Sequence, residues 1–222
     1  MTTNQMTQPA LRTPHDTDRD PRAVFTRAVT LAGSVMANVR PEQLDDPTPC
    51  DEYDVRQLLG HLIGVLRRVA TWRRGQNPFS VPTVAGDVAN GSWPQAWAEA
   101  AREAEAAWSD DAVLERVIRL PWAELPGAAI LAMYTSEVTV HTWDLATATG
   151  QRPEWDAKVL EVALASIQVA LPAEGRAERL GAVRDKMPAG HTDGTPPFAE
   201  AVPIAADAPL IDRLVAWTGR RP

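Results

Sequence analysis

Apolar residues recur at helical spacing along most of this chain. Asp20 is an N-cap followed by proline at the first helical position, and Val24, Phe25, Ala28, Leu31, Ala32, Val35, Met36 and Val39 then fall on one face. They predict a helix that ends before Pro41. The linker PEQLDDPTPCDEY is read as a loop extended around its three prolines. Asp54 with Gln57 three residues later is a capping-box pattern that opens a second helix, DVRQLLGHLIGVLRRVATWRRG, with Leu58, Leu59, Leu62, Ile63, Leu66 and Val69 as its stripe. Residues 77–90, NPFSVPTVAGDVAN, form a loop. Ser92 is the N-cap of a third helix, with Trp93, Trp97, Ala100, Ala104 and Trp108 on one side and Glu99, Arg102, Glu103 and Glu105 on a solvated face.

LERVIRLPWAEL alternates apolar and polar residues and predicts a short extended segment or hairpin arm. From Pro126 to Gly150 the run PGAAILAMYTSEVTVHTWDLATATG carries the start and stop marks of one long helix. A fifth helix follows in EWDAKVLEVALASIQVALP, ended by Pro172, and then a long loop including AGHTDGTPPF, where His191 faces solvent. FAEAVPI is expected as a short strand, and APLIDRLVAWTGRRP as an amphipathic helix closing at Gly219. The first 19 residues are polar and aperiodic, a disordered leader in which His15 is not a ligand candidate. The expected organisation is a leader over 1–19, a helical bundle over 20–150 and, over 151–222, a helical extension packed on it. The fold class is mainly α, a four-helix bundle with a small C-terminal α(+β) extension.

Composition narrows the function. At 222 residues, 45% apolar and 23% charged, the chain suits one globular domain with a sizeable core. A net charge of -7 and no basic stripe argue against nucleic acid as a partner. No run is long and apolar enough for a membrane span and the N-terminus lacks an apolar secretory segment, so a soluble, cytoplasmic protein is expected. The single cysteine, Cys50, excludes an internal disulfide and fits a reducing compartment; three acids close by would raise its pKa. Eight tryptophans against three phenylalanines and two tyrosines read as core filler, with room for an aromatic wall to a pocket. There is no internal repeat, P-loop, GxGxxG or Ser/His/Asp set in recognisable context.

The candidate chemistry lies at Glu137 and His141. Four residues apart on a helix, they share a face with Tyr134 and Asp144. Such a pair holds a metal ion or forms an ordinary helix-face ion pair, and spacing alone does not decide. His61, beside the apolar stripe of the second helix, is a satisfied core histidine or a third ligand. Helices of a bundle can bring ligands together in its core, and His61, Glu137 and His141 would give two imidazoles and one carboxylate with an open position. That donor set suits Zn²⁺, with Ni²⁺, Mn²⁺ and Fe²⁺ not excluded. Asp144 is either an acid behind His141 or facing substrate, or a helix-end partner of Arg152; Arg220 is a carboxylate-binding fork or a cation at a helix C-terminus.

The runs TPCDEYDVRQLLGHLIG, EVTVHTWDLATATG and APLIDRLVAWTGR resemble the actinobacterial metal-binding proteins related to mycothiol-dependent maleylpyruvate isomerase, within the DinB/YfiT-like superfamily. The resemblance covers nearly the whole chain after the leader. It implies a DinB-like four-helix bundle with a metal on a histidine of helix two and a Glu-x-x-x-His pair of helix four, which fall here on His61, Glu137 and His141. It also implies a low-molecular-weight thiol such as mycothiol, with isomerisation or S-transfer on a small electrophilic substrate. This chain departs from relatives at Asp51-Glu52-Tyr53-Asp54, where a Gly-Trp-Thr type sequence is common, and in a shorter C-terminal part. The catalytic candidates are Asp144 and Arg220. The rival expectations are a metal-dependent hydrolase needing no thiol and a non-catalytic metal or small-ligand binding module; an oxygen-activating iron site ranks lower, and a homo-oligomer is compatible with all of them.

Overall fold

The computed structural model describes residues 20–72, 77–120, 123–186 and 198–222. The expected leader, with His15, and the loop carrying His191 lie outside them. Helix α1, Pro21–Ala37, starts where the Asp20 carboxylate accepts the Arg22 N–H at 3.0 Å. Helix α2, Val55–Thr71, carries the full capping box: Asp54 accepts the Gln57 N–H at 2.8 Å, and the Gln57 side chain accepts the Asp54 N–H at 3.0 Å. Helix α3, Trp93–Ala107, begins without a side-chain cap from Ser92, and Pro94 in its first turn sets the start instead.

A short helix α4, Ala112–Glu115, leads into an antiparallel hairpin of β1, Val117–Arg119, and β2, Glu124–Pro126, in the register Val117↔Pro126, Ile118↔Leu125, Arg119↔Glu124. The alternating segment is therefore a hairpin. Helix α5 follows directly, Gly127–Ala148, and stops before Gly150, whose φ is +70°. Helices α6, Ala157–Ala170, α7, Arg176–Arg184, and α8, Leu210–Trp217, complete the chain.

Helices α1, α3, α2 and α5 pack in a closed ring, each against the next, which makes the four-helix bundle. All six apolar stripe residues predicted for α2 are fully buried. At about 1.5–3 kcal/mol for each such side chain, the helix is fixed in rotation, and with it the direction in which His61 points. Helix α5 is enclosed on most sides, so its sequence lacks a polar face. Its hydroxyls are satisfied locally: Thr135, Thr139 and Thr142 donate to carbonyls one turn back at 2.6–2.8 Å, and Ser136 Oγ also reaches Ala163 O of α6 at 2.8 Å. A second apolar cluster joins Val140 of α5 to Leu160, Leu164 and Ile167 of α6 and Leu214 of α8.

Two expectations need correction. Residues 198–204 form no strand; the Val202 N–H donates to Ala216 O at the end of α8, a single bond to a helix. The C-terminal part is thus helical without β structure among the described residues. The stretch after Pro172 is not all loop either, since α7 occupies part of it. No helix among the described residues is long and apolar enough to cross a membrane.

Candidate metal centre

Helices α2 and α5 run antiparallel where they face each other: His61 meets Glu137, whereas Trp72, further along α2, donates to the Tyr134 hydroxyl, one turn earlier on α5, at 3.1 Å. This brings together the three residues that the sequence left far apart. One nitrogen of His61, one of His141 and one oxygen of Glu137 all lie within 4.8 Å of one another. The two imidazoles meet edge to face with centroids 4.8 Å apart and are 6% and 8% exposed. Glu137 is more open, its side chain 26% exposed, and gives the trio its access to solvent.

The protons of both rings are placed by what stands behind them. His61 Nδ1 is 3.1 Å from the carbonyl oxygen of Thr83, an acceptor only, so Nδ1 carries the hydrogen. In the neutral ring Nε2 is then a bare lone pair; it is buried and has no hydrogen-bond partner, although Glu137 Oε1 is 3.4 Å away. His141 repeats the arrangement: Nδ1 donates to Asp144 Oδ2 at 3.0 Å, and Nε2 is left as the acceptor. With both rings neutral, two lone pairs and a carboxylate converge. Such a set is stable when a proton or a cation shares it, and imidazole with carboxylate oxygen is the donor set of a divalent transition ion.

Asp144 is fully buried and is itself held. Arg220 closes on it through Nε–Oδ1 at 3.0 Å and Nη2–Oδ2 at 2.9 Å, a planar two-point pair, while Arg220 Nη1 donates to Thr218 O. The fork of Arg220 is therefore occupied by Asp144, and Asp144 pairs with His141 and Arg220 rather than with Arg152. Gly219 makes this possible, with φ at +87° and its α-carbon so close to Ala199 that a Cβ would stand 2.7 Å from that residue's methyl.

Burial works to raise the Asp144 carboxyl, but the bonds from His141 and Arg220 outweigh it and hold it below the usual carboxylate range. Burial also works to raise Glu137, and the approach of His61 with the charge of Arg68 turns the shift downward. Burial lowers His141, against the pull of Asp144, so it stays neutral further into acid than a free imidazole.

Sequence reasoning passed over several contributors. Tyr53 stacks on His61 at 4.9 Å and 27° and presents its ring to His141 at 6.5 Å and 65°. It is positioned because the Tyr53 N–H donates to Cys50 O and Pro47 bridges Asp54. Thr83 acts through its backbone, which no side-chain motif reveals. Its loop lies against α2 because of Gly60 and Gly64: a Cβ on Gly64 would stand 3.0 Å from the carbonyl oxygens of Pro82 and Thr83, and one on Gly60 would meet Val84 at 2.7 Å. Cys50 is buried, its thiol within 4.8 Å of a nitrogen of His141 and an oxygen of Asp144. Burial pushes that thiol up to about 11, against the charge of Arg220 and with that of Asp144.

Residues 25–146 match the family described as the mycothiol maleylpyruvate isomerase N-terminal domain. Two relatives are uncharacterized proteins of Mycobacterium tuberculosis, MT0763 of strain CDC 1551 / Oshkosh and Rv0738 of strain H37Rv. Each is 30% identical to this chain over 201 residues, which cover 90% of this chain and 98% of the relative. No solved structure matches the chain.

Proposed function

The chain belongs to the mycothiol maleylpyruvate isomerase N-terminal domain family, which is DinB-like, and from that premise we propose that it is a metal-dependent enzyme that uses a low-molecular-weight thiol of the mycothiol kind for isomerisation or S-transfer on a small electrophilic substrate. The observation that carries the reading is the bare, buried Nε2 of His61 aimed at Glu137 and His141. In it His61, Glu137 and His141 hold one divalent ion, with Zn²⁺ first on donor chemistry and Ni²⁺, Mn²⁺ and Fe²⁺ as alternatives. When bound, such an ion supplies Lewis acidity that lowers the pKa of a coordinated thiol into the neutral range.

The remaining parts have positioning roles. Thr83 O and Asp144 fix the two tautomers so that both Nε2 atoms face the ion, and Arg220 keeps Asp144 ionised and in place. Tyr53 covers the imidazoles and leaves Glu137 as the open side. The chain has no thiolate of its own to offer there, because Cys50, pushed up to about 11, stays protonated at neutral pH. A nucleophilic thiol must come from solution, which favours a thiol cosubstrate. The reading carries a cytoplasmic setting in which Cys50 remains reduced.

The test is metal analysis of the purified protein together with turnover of maleylpyruvate-like, epoxide and haloaromatic electrophiles, with and without a mycothiol-like thiol. Bound metal with turnover only when thiol is added is the expected result. Turnover without thiol replaces the reading with a hydrolase, and stoichiometric metal with no turnover replaces it with a binding module. Metal content is expected to fall from about one per chain to none in His61→Ala and in His141→Ala, each still helical by circular dichroism; unchanged metal in both rejects the centre.

A further inference from the structure

Arg68 is the part of this neighbourhood that neither the trio nor the packing accounts for. It lies seven residues after His61 on α2, two helical turns on, and so on nearly the same face about 10 Å further along the axis. Side chains on a helix lean toward its N-terminus, here toward His61. The neighbouring Arg67 points away and pairs with Asp87 at 2.7 Å. Arg68 is half-buried, its Nε is buried without a hydrogen-bond partner, and among the described residues no ion pair satisfies it. An unpaired buried donor of a charged group is costly unless something answers it. The charge nonetheless reaches the site: burial raises Tyr134 to about 12 and raises Tyr53, Arg68 opposes both shifts, and the same charge helps draw Glu137 down.

We propose that Arg68 is the anion-recognising residue of this site: the ligand that enters beside Glu137 carries a carboxylate that takes the free Nε edge of the guanidinium while its other end lies at the His61, Glu137 and His141 trio. A guanidinium matches a carboxylate through parallel donors, which an ammonium does not reproduce. The placement fits a short spacer, since Arg68 lies two turns from His61 on the same face of α2 and one turn before Trp72, whose indole N–H donates to the Tyr134 hydroxyl. This inference rests on the metal–thiol reading for the identity of the other end and on Arg68 alone for the anion.

The experiment is calorimetric titration of the full-length, zinc-loaded protein with 3-mercaptopropionate and with 3-mercaptopropan-1-ol, which differ only in the carboxylate. The wild type is expected to bind the acid about tenfold or more tighter than the alcohol, as hydrogen bonds to a charged group allow. In Arg68→Gln the acid is expected to fall to within about threefold of the alcohol, with zinc content and alcohol affinity unchanged, and Arg68→Lys to lie between, because it keeps the charge and loses the fork. A preference that survives in Arg68→Gln, or a wild type that binds the acid no tighter than the alcohol, overturns the proposal. If Arg68→Gln does not fold, the same comparison is made with Arg68→Lys, where an undiminished preference for the acid overturns it. Failure of the alcohol to bind counts against the metal–thiol reading instead; Arg68 is then judged on the acid alone, with binding lost in Arg68→Gln as support and binding retained there, or absent in the wild type, as refutation.

Discussion

At the scale of single residues the site depends on which atoms carry hydrogens. Asp144→Asn replaces an ionised acceptor by an amide and leaves Arg220 with an uncompensated buried charge. The expected loss is on the order of 3 kcal/mol in urea unfolding with a chelator present, and about tenfold or more in zinc affinity. Asp144 is held below its ordinary value of about 3.9, so its contribution is complete above that value and disappears as pH falls through the lower folded one. The difference in unfolding free energy between wild type and Asp144→Asn should therefore be flat from about pH 8 to 5 and close only below about pH 4; a difference that closes between pH 7 and 5 would assign it to an imidazole instead. Glu137, His141 and His61 were legible in the sequence because helix periodicity and residue type suffice to nominate them. The roles of Asp144 and Arg220 were only half legible: each was singled out, but 76 residues separate them and nothing local says that they bond. Thr83 was illegible, since any residue offers the same backbone carbonyl there.

At the scale of elements, α2 and the loop after Pro82 form one device. Gly64→Ala would push the carbonyls of Pro82 and Thr83 away by a few tenths of an ångström and slacken the hold on His61 Nδ1. Zinc affinity is expected to drop by about tenfold with little change in helix content, and an unaltered affinity would show that the Thr83 carbonyl does not orient the ring. The helices of the bundle were readable because apolar periodicity and caps agree, as at Asp54 and Gln57. Helix α7 was not, because Arg176–Arg184 is short and has only Leu180 and Val183 as large apolar residues, too few for a stripe of period 3.6. It is fixed by contacts from elsewhere: Arg176 is buried, donates to Pro172 O at 2.7 Å and to Ala199 O at 2.6 Å, and lies over the Trp217 ring. The expected strand at 198–204 failed for a related reason. Alternation predicts a strand only if a partner edge exists, and the neighbour here is the end of α8.

At the scale of the whole molecule, the last helix completes a site built on the bundle. A chain ending at Gly150 would lose Arg220 and uncover Val140, so it should unfold at lower temperature and hold zinc about tenfold more weakly; equal zinc affinity would remove Arg220 from the centre. The three ligands also decide the stoichiometry of a different particle. Most proteins discharge hydrogen ions when a divalent metal docks, because the docking atoms must first be stripped. Here Glu137 is held ionised and His141 is held neutral beforehand. Above the ordinary imidazole range, zinc loading should accordingly release almost no acid into the medium, and its apparent heat, corrected for zinc binding to the buffer, should be the same in PIPES as in Tris.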